Sequence, residues 1–300
     1  MAEVHHFTYG AFNPIAAYLL AFLGSFLGLL STGRARDAHT RGRRNRWLII
    51  AAFAIGGGAI WLMHFTAMLG FEVPASPVRY SPMITMFSLG IAIVTVGIGL
   101  LVVGHGTRSL TKTMTAGAIT GTGVLAMHYS GMEGMHVAGE IHYRPTLVVA
   151  SGIVAITAAT LALWFTISVR GWGPITGASA IMGVAICGMH YLGMAAMEVR
   201  LHSGAPAGVT GLRPLVMIVP ITLITAAAIV GVALSALQAM TEEEFTDGAG
   251  LPKRGVHAEH PWSLKEMSLA AMRRSPGPRP SPRPAPQRSG DEPLQHASPS

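Results

Sequence analysis

Three histidines stand inside apolar stretches of this chain, each among the same neighbours. The segments are Met63-His64-Phe65-Thr66-Ala67-Met68, Met127-His128-Tyr129-Ser130-Gly131-Met132 and Met189-His190-Tyr191-Leu192-Gly193-Met194. On an α-helix, a histidine and the methionine four residues later share one face. Imidazole and thioether without thiolate form a donor set for a soft first-row ion, copper and Cu(I) above all. Hard ions such as Mg²⁺ or Ca²⁺ take oxygen ligands, which these faces scarcely offer. The candidate metal ligands are therefore His64, Met68, His128, Met132, His190 and Met194. The methionine before each histidine points about 100° away, on the side of the small residue Ala67, Gly131 or Gly193. Met63, Met127 and Met189 are accordingly secondary candidates for the same ion.

A blander reading competes with this one. Methionine in an apolar helix is usually adaptable filler, and a histidine in a membrane helix can serve only to hydrogen-bond its neighbour. Filler would be spread evenly, yet eight of the 17 methionines fall within the nine residues that begin at each Met-His pair. Only these three of the 13 histidines lie inside apolar spans, and an ionisable group there points to function. Coordination of one shared ion is the favoured reading; structural hydrogen bonding stays open beside it. Cys187 lies one turn from His190, but the other copies do not repeat it. Glu133, Glu72 and Glu198 are weaker candidates, and His5, His6, His136, His142 and His202 fall in connecting segments where they could bind metal loosely. No nucleophile–base–acid set, phosphate loop or paired catalytic carboxylate is visible, so an enzyme is not expected.

The elements that carry these residues are membrane spans. Half of the 300 residues are hydrophobic and only 12% are charged, about half the charge of a soluble domain. A spanning helix needs roughly 20 mostly apolar residues. Seven runs qualify, at about 14–32, 47–70, 83–104, 114–133, 146–169, 174–197 and 214–237. They are too long and too weakly alternating for barrel strands. The expected fold is all-α, a polytopic membrane protein of seven transmembrane helices built from three repeated helix pairs plus one helix. The motif histidines recur one helical hairpin apart, so the three motifs end alternate helices at one face. Gly24…Gly28 and Gly117…Gly121 are spaced for close helix approach.

The basic residues fix an expected orientation. Arg34, Arg36, Arg41, Arg43, Arg44 and Arg46 fill the first connection, Arg108 and Lys112 lie in the third and Arg170 in the fifth. The even connections hold only Arg79, Arg144, Arg200 and Arg213. The N-terminus is thus expected outside, the motifs near the outer face and the C-terminus in the cytoplasm. The net charge of +7 is dispersed among these connections, which argues against nucleic acid as a partner. One cysteine excludes an internal disulfide. The first residues lack a basic leader region, so no cleavable signal is expected. Residues 1–13 read as an outer segment, 14–240 as the membrane domain and 241–300 as a disordered Pro/Arg-rich cytoplasmic tail, with no output domain visible in it.

Three in-phase copies of Met-His-aromatic-x-small-Met at the ends of alternate helices resemble the MHYT domain of bacterial membrane sensors, over roughly residues 10–240. The resemblance implies a copper ion held by the Met and His residues, from Met63 to Met194 as named above. It also implies a diatomic gas, oxygen, carbon monoxide or nitric oxide, as the sensed ligand, and a cytoplasmic signalling partner. Phe65, Ser130 and Leu192 depart from the family's tetrad, while every Met and His is intact. Alternatives are a copper-handling carrier or buffer, and a haem-binding membrane protein, because His and Met are also axial haem ligands.

Overall fold

A computed structural model describes Thr8, residues 10–201 and 209–214, and scattered positions up to 231. The expected seventh span falls almost wholly outside the described residues, as do most of the N-terminal segment and the whole tail from 241.

Six long helices are present among the described residues: α1 (Phe12–Asp37), α2 (Arg41–Met68), α3 (Pro82–Gly104), α4 (Leu110–Glu133), α5 (Pro145–Ser168) and α6 (Trp172–Ala195). All but α4 are long and apolar enough to cross a membrane; α4 is the one rich in threonine and glycine. Pro82 and Pro145 open α3 and α5, where a missing N–H costs nothing. Thr40 caps α2, its hydroxyl accepting from the Arg43 amide at 3.3 Å. Large apolar side chains such as Met83, Phe87, Val149, Ile153 and Val184 face outward along the helices. A soluble protein does not expose such continuous apolar flanks, and lipid is their solvent. The chain is a membrane protein.

Each helix packs mainly on its sequence neighbours, and α1 closes on α6, so the six form a ring. The motif-bearing helices α2, α4 and α6 alternate around it. Small residues set the spacing. A Cβ on Gly24 would run into the backbone of Ala59 and Ala54 in α2, and one on Gly121 would lie 2.5 Å from the Ile156 Cα in α5. Both glycine pairs read from the sequence are thus at close helix contacts. The middle of α2, Phe53–Leu62, is wound as a π-helix. It contains Gly56, whose Cβ would stand 2.7 Å from the Ala92 carbonyl oxygen of α3.

Two features differ from the sequence expectation. First, the fold is not purely helical. Short strands β1 (Arg79–Tyr80), β2 (Met135–His136), β3 (Gly139–Tyr143) and β4 (Met197–Leu201) follow the motif helices and pair antiparallel, β1 with β2 and β3 with β4. Strands of two to five residues leave too little alternation to read. Their pairing ties the ends of α2, α4 and α6 together at one face, as the repeat requires. Second, the arginine-rich first connection is mostly helix. α1 runs on through Asp37 and α2 begins at Arg41, so these arginines ride on helix ends. Arg36 uses this position to donate to the Thr166 carbonyl and, at 2.6 Å, to the Val169 carbonyl, capping the end of α5. A cation there complements the negative end of the helix.

Candidate metal centre

The alternation of motif helices around the ring aims one histidine from each repeat at the ring's centre. His64, His128 and His190 meet there fully buried. The Nδ1 of His64 lies 3.0 Å from the Nδ1 of His190 and 3.2 Å from that of His128. The three rings stand nearly perpendicular to one another, with centroids 4.9, 4.9 and 5.2 Å apart. Among the described residues no thiol or carboxylate joins the convergent set. Cys187 instead packs, half-buried, against the cluster of Ala17, Ala21, Met63 and Ala67.

Each position of the repeated motif has a structural role. The aromatic residue after the histidine meets its ring edge-on in every copy: Phe65 at 4.8 Å, Tyr129 at 4.9 Å and Tyr191 at 5.0 Å between centroids. The small residue three places on makes room for the histidine of the preceding copy. A Cβ on Gly131 would stand 2.6 Å from the Nε2 of His64, and one on Gly193 would press closer still on the Nε2 of His128. Ala67 belongs to a buried cluster with Ala17, Ala21 and Met63, against which Ile186, Cys187 and Tyr191 of α6 pack. Sequence reasoning took these small residues as aids to helix packing and missed that they seat imidazoles. The signal was present in their fixed offset from each histidine.

The methionines are buried in all three copies: Met68, Met132 and Met194 one turn beyond each histidine, Met63, Met127 and Met189 just before it. Met63 belongs to a small cluster with Ala17, Ala21 and Ala67, while the other five join the main core. Glu198, a weaker sequence candidate, is paired with Arg144 at 3.4 Å in the strand cap. His142 lies beside Glu140 at 3.3 Å, and His136 contacts the Thr210 carbonyl. None of these enters the centre. Tyr80 of β1 is buried beside Phe65, with ring centroids 6.2 Å apart. Burial pushes its hydroxyl above the usual phenol range.

The donor geometry suits an ion. An Nδ1 has one in-plane position, occupied either by a proton or by a lone pair. One N–H can bridge two nitrogens well but cannot serve three. A cation at the centre would use all three lone pairs. For metal–nitrogen distances of 2.0–2.1 Å, trigonal or tetrahedral angles place the nitrogens roughly 3.3–3.6 Å apart. The observed 3.0 and 3.2 Å require only a few tenths of an ångström of opening. The Nε2 atoms of His64 and His128 are buried without a hydrogen-bond partner. With each Nδ1 on a cation, the ring proton sits on Nε2, where no acceptor among the described residues meets it in His64 or His128.

Comparison with known proteins agrees with the repeat. Residues 57–116, 121–178 and 183–243 each match the family described as MHYT, bacterial signalling protein N terminal repeat. Each match begins just ahead of a motif. The chain is 36% identical over 233 residues to the bifunctional diguanylate cyclase/cyclic di-GMP phosphodiesterase MucR of Pseudomonas aeruginosa, covering 74% of this chain and 34% of that protein. It is 33% identical over 205 residues to the cyclic di-GMP phosphodiesterase NbdA of the same organism, covering 66% of this chain and 26% of that protein. To the signaling protein YkoW of Bacillus subtilis it is 29% identical over 208 residues, 67% of this chain and 26% of that one. The chain thus spans about a third or less of the length of these relatives. No solved structure matches it.

Proposed function

The chain belongs to the MHYT family of bacterial membrane signalling repeats, and from that premise we propose that its histidine triad holds one copper ion and reads a diatomic gas. The observation that supports this most is the convergence of three Nδ1 atoms from three repeats, two of the separations being 3.0 and 3.2 Å. Imidazole with a thioether one helical turn along the same chain suits copper over harder ions. In this reading His64, His128 and His190 hold the ion, and Met68, Met132 and Met194 are the candidates to complete its shell. Bound copper would supply an open coordination position for a small ligand. The chain's own contribution is to fix the imidazoles through Phe65, Tyr129 and Tyr191 and to keep bulk water out. Because the triad joins three helices of one ring, a change of ligand at the centre strains all three together. A cytoplasmic partner, or chain beyond the described residues, reads that strain.

A carrier would need further ligands along a path across the membrane. Among the described residues, the cavity inward of the triad is lined mainly by aliphatic side chains; Met182 and Met189, both on α6, are its two thioethers, and no histidine, thiol or carboxylate joins them, which favours one fixed centre. Haem would need a flat slot between its axial ligands, and Nδ1 atoms at 3.0 Å leave none. Metal analysis of the detergent-purified full chain by mass spectrometry tests the reading. About one copper per chain is expected from a three-imidazole site; a Soret band without copper would replace it by haem.

The orientation follows from the same proposal. Arg36 reaches the end of α5 near Arg170, so the first and fifth connections share a face, and that face carries the arginine cluster. We place it in the cytoplasm. Cysteines introduced at residues 34–46 should react with an impermeant thiol reagent only after permeabilisation. Those at 72–82 or 134–144 should react in intact cells. The reverse pattern would invert the topology.

A further inference from the structure

The centre of the ring does not close beneath the triad. Ile60, Val124 and Ile186 each stand four residues before a triad histidine, on its helix face and one turn inward. All three line a single internal cavity of about 50 Å³, joined by Met189. On the opposite side α5 presents Ala155, Ala158, Ala159 and Ala162, short side chains where leucines would fill the space. The only hydroxyls in the wall belong to Thr120 and Thr166. Thr166 donates to the Leu163 carbonyl of its own helix at 2.7 Å and Thr120 to the Thr95 carbonyl of α3 at 3.4 Å, so both hydroxyl protons are spent on backbone. A water needs only about 10–15 Å³ but also two to four polar partners, whereas apolar cavities stay dry and accept apolar guests.

We propose that this chamber serves the histidine centre from one turn inward, as a dry site that holds one small apolar molecule of the diatomic-gas class on its way to the triad; its wall contains none of the three histidines. One lining residue stands a turn before each histidine, which puts the chamber on the inward side of the centre. Its wall between α5 and α6 is its most open side, because Ala158, Ala162, Ala185 and Ile186 are only half-buried. Apolar gases concentrate in the hydrocarbon of a bilayer, so that wall is the natural entry. The proposal rests on the gas-reading copper centre for what the guest does next, but the chamber can be tested without any metal.

The probe is xenon. Xenon-pressurised crystals of the full chain should show one anomalous peak among Ile60, Val124 and Ile186, and Ala159→Leu should abolish it. Ala158→Leu serves in its place if that variant does not fold. In copper-loaded protein the filled variant should bind carbon monoxide on the order of tenfold more slowly, or about 1.4 kcal/mol in barrier, with copper content unchanged. No xenon peak in the wild-type chain would overturn the chamber even if copper is present. A xenon peak together with an unchanged carbon monoxide association rate in the filled variant would overturn its role as the chamber that serves the centre. If no metal binds at all, the copper reading fails, and with it the link to the centre. The xenon peak would then decide the chamber alone.

Discussion

Replacing any one of His64, His128 or His190 with alanine is expected to strip nearly all bound metal from the protein. The reason is geometric. The Nδ1 atoms of His190 and His128 lie 3.0 and 3.2 Å from that of His64 in the centre of the ring, so each substitution removes one imidazole from a single ion, not one of three ions. Two imidazoles from different helices, with no fixed third donor, hold an ion weakly. Loss of even an outer-sphere partner typically costs 10–100-fold in metal affinity. Loss of a direct ligand should therefore exceed about 100-fold. The measurement is a competition titration of each variant against a Cu(I) chelator, alongside metal content of the purified chain. The fold should persist, because the ring is held by helix contacts that do not pass through the histidines. Monodisperse elution in detergent checks that. A loss of about a third of the metal per substitution would mean three separate sites and defeat the shared centre.

Much of this arrangement is legible in the sequence, and the limits have physical causes. The helix limits were close to the expected spans because proline marks the starts of α3 and α5 and because the spans are strongly apolar. The equal depth of the histidines followed from the repeat and the alternation of helix direction. What periodicity could not give was the ring itself. A closed ring places alternate helices around one axis and brings a ligand atom of each histidine within 4.8 Å of the others, whereas a row of hairpins with the same sequence pattern would keep them apart. Nor could it give the π-helical winding of Phe53–Leu62. Gly56, Gly57 and Gly58 are the only hint of it, and glycine is common throughout the chain. Whether Met68, Met132 and Met194 complete the ligand shell is a matter of side-chain torsions around an ion. Spacing places them on the correct face and no further.

The small residue of each motif offers a second large effect, and a sharper one. Gly193→Ala should reduce metal affinity by about 10–100-fold, in the range of a displaced ligand orienter, while leaving the fold intact. The added methyl would fall on the Nε2 of His128. That ring cannot retreat, because Tyr129 meets one edge at 4.9 Å and His64 and His190 stand 4.9 and 5.2 Å away. The imidazole must turn, and its Nδ1 then leaves the point shared with the other two. The energetic cost to folding is modest. Overpacking one methyl costs roughly 1–3 kcal/mol, and alanine regains about 1 kcal/mol over glycine within a helix. Thermal unfolding should therefore shift little while copper affinity collapses, a separation that general destabilisation would not produce. Gly131→Ala should act in the same way through His64, less severely because its Cβ would stand 2.6 Å from the Nε2. Ala67→Gly, at the position that already accommodates a methyl, should leave affinity within about twofold, a change of less than RT ln 10. If Gly193→Ala binds copper as tightly as the native chain, the imidazole seats are packing features only, and the centre does not depend on how the repeats interlock.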